Sequence, residues 1–335
     1  MEGIKISKSP RLRNPYLIVA WPGMGEVAYK AASQLIEKLQ AQEFAEIPPE
    51  DVFYLTGSVV QEGILSAPAL PYSKFYYWKN PASKTAGSAK GAGPKSEPHD
   101  LIIFISNAQP DLAKAVAYSK QIISVAKNFK VKTVFSFAAM PQPIDHTQQA
   151  GIWFTATSRE LINQMKPYNF NILSEGQISG MNGLFLGIAK QEGLEGACLL
   201  GDIPLYTIQI ENPKASLAVI EALSKILGIQ VDLSNLVEQA HIMEDEINKL
   251  LDYLKLGTPQ GPIGEEEIEK IKKSLSQLTK LPLSIKDKID KLFQEAKKDI
   301  SKAKELKVEL DKWNVYKEFE DRFLDLFKKT KDKSN

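Results

Sequence analysis

The chain has little of what metal, redox and nucleophilic chemistry most often draw on. Its 335 residues include one cysteine and three histidines. A lone thiol, Cys198, excludes an intramolecular disulfide framework and a cysteine-rich zinc site. No cluster of His, Asp and Glu has ligand spacing, so no metal is expected. Neither sign of charge is in excess: 42 Lys and Arg stand against 41 Asp and Glu, a net +1. No global field therefore favours nucleic acid or an anionic membrane, and neither is expected as a partner. Long apolar runs are missing too, and the amino-terminal stretch MEGIKISKSPRLRNP has no signal-peptide core. A cytoplasmic location is the expectation.

Catalytic signatures are equally scarce. No serine has glycine at both −2 and +2, which excludes a nucleophile elbow. No phosphate loop of the G-x-x-x-x-G-K-[ST] type is present. Cys198, in Ala197-Cys-Leu-Leu200, reads as a small buried apolar residue rather than a reactive thiol. No catalytic residue and no cofactor are assigned on these grounds.

What is present is a large, ordinary core. Hydrophobic residues make up 43% and charged residues 25% of the chain, as in a soluble globular protein long enough for two domains. Strand-like runs recur at 17–21, 52–55, 74–78, 101–106, 133–137, 152–156 and 197–200. Helical patterns fall between several of them, at 26–39, 112–129, 158–165 and 182–191. Such alternation predicts an α/β fold, a three-layer α/β/α sandwich with a mostly parallel sheet, over residues 1–228. The runs 52–55 and 74–78, with no helix between them, suggest an antiparallel edge hairpin. Residues 80–98, rich in Gly, Ala, Ser, Pro and Lys, read as a mobile loop within this core.

The stretch Pro15–Leu39 says most about local architecture. An apolar run ends at Pro22-Gly23-Met24-Gly25. A helix follows, with Val27, Ala31, Leu35 and Leu39 on one face, making the opening half of a βαβ unit. Gly23-x-Gly25-x-x-Ala28 also fits the dinucleotide fingerprint. Pro22 removes a donor, however, Glu26 places negative charge where a pyrophosphate would lie, and 44–49 is a poor second strand. A structural turn is the favoured reading. A small-molecule or nucleotide-binding enzyme, Rossmann-like or ligase, is the alternative.

A second glycine-rich segment spans Ser174–Gly187. Ser179 or Asn182 can cap the helix after it, and Gly180, Gly183 and Gly187 permit close backbone approach. His146, beside Asp145, follows the strand at 133–137. In an α/β sheet the carboxyl edge is where ligands bind. Met24, Gly25, Asp145, His146, Asn182 and Asp202 are therefore the candidate binding residues there.

From Asp232 onward the pattern is almost purely helical, which defines a carboxyl-terminal module over 229–335. Leu233, Leu236, Ala240, Met243, Ile247, Leu250 and Leu254 form a heptad seam that wants a partner helix. Beyond it, Trp313, Tyr316, Phe319 and Phe323 offer either interface anchors or a helical core. From Leu256 on, 19 Lys and Arg mix with 16 Asp and Glu, a pattern of helical packing or association rather than of a nucleic-acid arm.

Several pieces, in this order, resemble the proteasome assembly chaperone 2 family of archaea and bacteria. They are Ala20-Trp-Pro-Gly-Met-Gly25, Gly176-Gln-Ile-Ser-Gly-Met-Asn-Gly183, Leu199-Leu-Gly-Asp-Ile-Pro204 and Pro213-Lys-Ala-Ser-Leu-Ala218, continuing through Leu227-Gly-Ile229 to Val231-Asp-Leu233. Together they span about residues 12 to 254. The resemblance implies an α/β/α sandwich, self-assembly into a homo-oligomer (a trimer or tetramer) and, by its eukaryotic relatives, scaffolding of proteasome subunits. It also implies a possible protein partner, proteasome-related. Some members carry a ligase label, which no phosphate loop here supports. Archaeal members suggest proteasome docking through a terminal hydrophobic-Tyr-any tripeptide, from which Lys331-Asp-Lys-Ser-Asn335 departs.

Overall fold

A computed structural model describes residues 3–50, 52–53, 58, 60–68, 70–84, 98–256, 283–313 and 315–331. A two-residue strand, β1 (Lys5–Ile6), precedes β2 (Tyr16–Ala20), in which Leu17 to Ala20 are all fully buried. Apolar side chains on both faces are what a parallel strand covered on both sides requires. Then come α1 (Val27–Lys38), β3 (Gln42–Glu46), the short pair β4 (Val60–Gln61) and β5 (Ile64–Leu65), β6 (Ser73–Trp78) and β7 (Leu101–Ser106). Next are α2 (Ala115–Asn128), β8 (Thr133–Gln142), β9 (Ile152–Ala156), α3 (Arg159–Met165), β10 (Asn171–Ile172) and α4 (Met181–Gln191). β11 (Glu195–Pro204), α5 (Pro213–Leu227) and α6 (Ser234–Leu256) follow, and α7 (Leu283–Lys298), α8 (Ala303–Lys312) and α9 (Tyr316–Lys331) end the described chain.

Nine strands share one sheet in the order β1-β3-β6-β7-β2-β8-β11-β9-β10. The central four, β7-β2-β8-β11, run parallel, and antiparallel pairing holds β1, β3 and β6 on one flank and β9 on the other. Strand alternation divides the core in two. Ile18 and Ala20 of β2, Phe135 and Phe137 of β8, and Ala197 and Leu199 of β11 face α1, α3 and α5. Leu17 and Val19, Val134, Cys198 and Leu200 face α2 and α4. The α/β/α sandwich expected from strand–helix alternation is thus the observed architecture, with parallel pairing at its centre.

The expected edge hairpin is different. Val52 lies in a turn and Phe53 outside any strand, while residues 54–55 lie outside the described ones. β6 pairs instead with β3 and β7, both antiparallel, well inside the sheet. A β-bulge between Glu43 and Ala45 explains why β3 was hidden. It places the neighbours Phe44 and Ala45 both in the interior, so the sequence lacks the period-2 alternation of a strand. The loop read as mobile at 80–98 begins with a 3-10 turn, Pro81–Lys84, and its residues 85–97 lie outside the described chain.

Helix signals in the sequence match their ends. Pro213 occupies the first turn of α5, Asn212 Oδ1 accepts from Ala215 N at 3.1 Å, and Gly228 closes the helix in the left-handed region at φ 63°. Asp232 accepts from the backbone and hydroxyl of Ser234 at the start of α6, and these hydrogen bonds hold its carboxyl below the usual range. α6 lies on α5, burying Leu236 and Ala240. The seam is not buried throughout: Leu250 is 56% exposed, because the later turns of α6 extend past α5, and the side chain of Leu254 lies outside the described set.

Among the described residues no strand follows Pro204. In the last three helices Ile289, Phe293, Leu306, Leu310, Trp313 and Phe323 are buried, and Trp313 Nε1 donates to Glu309 Oε1 at 2.9 Å. The tail aromatics thus serve largely as a helical core. Lys291 pairs with Glu175, tying α7 to the loop before α4. Residues 257–282 and 332–335, including most of the terminal pentapeptide, lie outside the described chain.

The α5–α6 contact is directly measurable. Leu236→Ala should lower unfolding free energy by about 2–5 kcal/mol, the usual cost of a fully buried leucine. Leu250→Ala should change it by less than about 0.5 kcal/mol, as exposed positions do. Denaturant titration of both variants checks the pair, and equal losses would place Leu250 in a buried contact.

Candidate binding cleft at the carboxyl edge of the sheet

β2 stops at Ala20, but the chain stays buried for one more residue. Trp21 is fully enclosed, and its peptide groups need partners. Asn182, in the first turn of α4, provides both: Trp21 N donates to Asn182 Oδ1 at 3.0 Å, and Asn182 Nδ2 donates to Trp21 O at 3.0 Å. A buried side-chain amide thus stands in for a neighbouring strand. The next carbonyl, that of Pro22, accepts from Gln109 Nε2 at 2.6 Å, and Gln109 Oε1 accepts from Met181 N at 3.0 Å. Gln109 thereby supplies the cap that α4 lacks, since Gly180 at its N-cap offers no side chain. Neither Ser179 nor Asn182 caps this helix, contrary to the sequence expectation. Asn182 is engaged with Trp21 instead.

Glycine is needed at two points here. Gly180 has φ +72°, and a Cβ on Gly183 would lie 2.2 Å from the Ile178 carbonyl oxygen. Gly187, by contrast, has open space around it. The turn into α1 places Gly25 and Glu26 consecutively in the left-handed region, at φ 60° and 52°. Gly25 N donates to Ile208 O at 2.9 Å, and Glu26 N donates to Gly23 O at 3.0 Å. Asn212 N donates to Gly25 O at 2.8 Å. Two of the amides a pyrophosphate would use are therefore already committed to the protein's own carbonyls. Burial, and then the nearby Glu211 carboxylate, push the Glu26 carboxyl above its ordinary range.

Between the starts of α2 and α4 the edge opens into a cleft of about 780 Å³. Ala138 to Pro141 of β8 and Leu200 of β11 lie beneath it, and Gln109, Asn182 and the 22–24 turn bound it. Every lining residue is uncharged. Three methionines, Met24, Met140 and Met181, contribute to the wall, a residue that adapts to irregular apolar shapes. Met24 and Leu184 are exposed at the rim, and Leu112 is 88% exposed.

The six candidate residues do not share this cleft. Met24 and Asn182 line it, and Gly25 sits beside it in the turn. Asp202, near the end of β11, accepts from Gly151 N at 3.1 Å and from Trp153 Nε1 at 2.9 Å, which fastens the β9 side of the sheet. His146 forms a second group. Its N–H donates to Tyr206 Oη at 2.8 Å, Nδ1 lies 2.8 Å from the same oxygen, and Nε2 lies 2.8 Å from Asn248 Oδ1 on α6. Asp145 Oδ1 lies 3.2 Å from the same Nδ1. Lys214 Nζ donates to His146 O at 2.7 Å and pairs with Glu244. Asp145 Oδ1 accepts from Thr147 N at 3.1 Å. Asp145 and His146 thus tie a loop to α5 and α6.

Sequence reasoning missed Gln109, Tyr206, Lys214 and Asn248. Gln109 alone had a usable signal: it follows β7, a parallel strand next to β2, so topology places it at the carboxyl edge. Among the described residues no group of three or more His, Cys, Asp and Glu could hold a metal, and no helix is long and apolar enough to cross a membrane.

Two outcomes follow from this geometry. Asn182→Ala leaves two buried peptide groups unpaired and should destabilise the fold by about 2–6 kcal/mol, given about 1–3 for each such group. Asn182→Asp, which keeps only the acceptor, should also destabilise. Chemical denaturation checks both, and a neutral Asn182→Ala would contradict the bonds to Trp21. Cys198, on β11, is fully buried, and burial pushes its thiol up to about 12. It should therefore resist a thiol reagent at pH 8 in the folded protein and react fully in denaturant. Rapid labelling of native protein would contradict that burial.

The chain resembles several known proteins. An uncharacterized protein of Methanocaldococcus jannaschii is 24% identical over 274 residues, covering 78% of this chain and 94% of that protein. The structure of Pyrococcus furiosus PbaB, described as an archaeal proteasome activator, matches with a TM-score of 0.60 and 26% identity over 74% of this chain and 97% of that one. Pyrococcus furiosus PbaA, described as an archaeal homolog of proteasome-assembly chaperone, matches with a TM-score of 0.56 and 22% identity over 83% of this chain and all of that one (100%). The PAC2 family model matches residues 17–251, from β2 into the last turns of α6, and the chain belongs to the PAC2 family.

Proposed function

We infer that the chain is a non-catalytic, homo-oligomeric protein-assembly chaperone or adaptor that works with proteasome subunits. The observation that carries this reading is the chemistry of the cleft. Its lining is uncharged, and its two best-placed amides, Gln109 and Asn182, hold backbone rather than face a ligand. General acid–base and nucleophilic catalysis need a titratable group poised beside the reacting atom. Protein recognition instead uses apolar, adaptable walls with exposed large side chains at the rim. PAC2 membership and the likeness to the PbaA and PbaB structures support the chaperone-type role. Assembly as a trimer or tetramer and action in the cytoplasm belong to the same proposal.

A small-molecule ligand is the second reading, favoured by the cleft's volume, which falls within the range of ligand pockets. One experiment separates the two. The full chain is incubated with proteasome subunits from the same organism and resolved by size exclusion with light scattering, and native mass spectrometry follows. A self-assembled species that co-migrates with proteasome subunits is the expected outcome. No association, together with a retained small molecule of fixed mass, would overturn the proposal in favour of the second reading.

A further inference from the structure

We propose that the β4–β5 hairpin of one copy seats in the carboxyl-edge cleft of a second copy, so that self-association runs head to tail. The inference rests on the homo-oligomeric reading above and names the surfaces that reading leaves open. The hairpin is well formed. Val60 pairs with Leu65 and Gln61 with Ile64, and Glu62 and Gly63 occupy the turn with positive φ values of 52° and 80°. Both central residues in that region give the turn whose twist suits a two-residue hairpin. Yet Val60, Ile64 and Leu65 are 62%, 72% and 69% exposed, and Leu70 just beyond is exposed as well. A two-stranded hairpin without a packed face is marginal in water, so this element wants a covering surface.

The cleft wants an occupant of the same kind. Met24, Leu112 and Leu184, which line it, stand exposed. With Val60, Ile64 and Leu65 of the hairpin they make six of the eighteen exposed large apolar side chains among the described residues.

Charge selects the hairpin as the occupant. The cleft lining is uncharged, so an ionised group carried into it would be desolvated without a partner. From residue 60 to 68 the only ionisable side chain is Glu62, at the turn. The hairpin can therefore present its apolar strands while Glu62 stays at the solvent margin. Val52 O accepts from Asp111 N at 3.0 Å, and Phe53 packs edge-on against Tyr118 of α2. The apolar side chains of the hairpin lie in solvent. Two different patches meeting in this way make a heterologous interface, which closes into a ring when the rotation between copies divides a full turn.

The test uses the unreactive native thiol. Cys198 is buried with its pKa pushed up to about 12, so introduced cysteines report alone. Ile64→Cys and Leu184→Cys are prepared as separate full-length chains, mixed and treated with a short bismaleimide. A two-chain product that forms in the mixture and not in either variant alone is expected. Ile64→Asp should reduce the mass seen by light scattering to that of a single chain with an unchanged Tm. An oligomer that gives no cross-link and keeps its mass with Ile64→Asp would overturn this interface while leaving the homo-oligomeric reading intact. A single-chain mass for the unaltered protein at all concentrations would overturn both. Cross-linking within one chain of the double variant, without two-chain product, would mean that the hairpin covers its own cleft, and would also overturn the proposal.

Discussion

The carboxyl edge of the sheet depends on one reciprocal pair of hydrogen bonds, between the Asn182 amide and the peptide groups of Trp21. β2 lies at the centre of the sheet, paired in parallel with β7 on one side and with β8 on the other. A strand in that position must end inside the protein, and its last residue is left with a donor and an acceptor in an apolar layer. Water is excluded, since Trp21 and Asn182 are both buried. A side-chain amide has one donor and one acceptor at the right separation to complete the ladder. The pair fixes α4 against the end of β2 across 161 residues of sequence. It therefore positions the start of α4, which forms one wall of the cleft.

The same constraint decides what the edge can do chemically. Polar groups that hold backbone are not free to bind or activate a substrate. Asn182 and Gln109 are used at the turn, Asp202 on Gly151 and Trp153, and His146 on Tyr206 and Asn248. Each lies where an α/β enzyme would place its chemistry, yet each has a structural bond to make. The cleft lining is uncharged and largely apolar, with Gln177 and Ser179 among its polar members. An edge built in this way is rigid in its main chain and adaptable in its methionines, a combination suited to gripping another polypeptide.

Much of this was legible in the sequence, for identifiable reasons. β2, its glycine turn and α1 were readable because an apolar run, a breaker and a near-four periodicity are local signals. The ends of α5 were readable because Pro213 and Gly228 each act within a few residues. β3 was not, because its bulge puts Phe44 and Ala45 on the interior together and erases the alternation. The roles of Asn182 and Gln109 were not, because each acts on a residue distant in sequence. A capping reading of Asn182 was reasonable locally, and tertiary demand overrode it. Topology suggested His146 and Asp202 as edge residues, but it does not reveal that Tyr206 and Trp153 claim them.

The tail shows how far periodicity alone can carry an argument. Heptad spacing in α6 correctly marks Leu236 and Ala240 as buried, because α5 runs alongside them. It cannot tell where the partner helix ends, and Leu250 carries the same spacing into solvent. Aromatic residues in α9 pose the converse case. Their spacing fits an interface as well as a core, and the structure resolves the choice through neighbours supplied by α7: Phe319 lies 5.8 Å from Phe293, ring centre to ring centre. A helix stripe states that something apolar must be covered. Which element covers it, and for how many turns, is fixed only when the rest of the chain is in place.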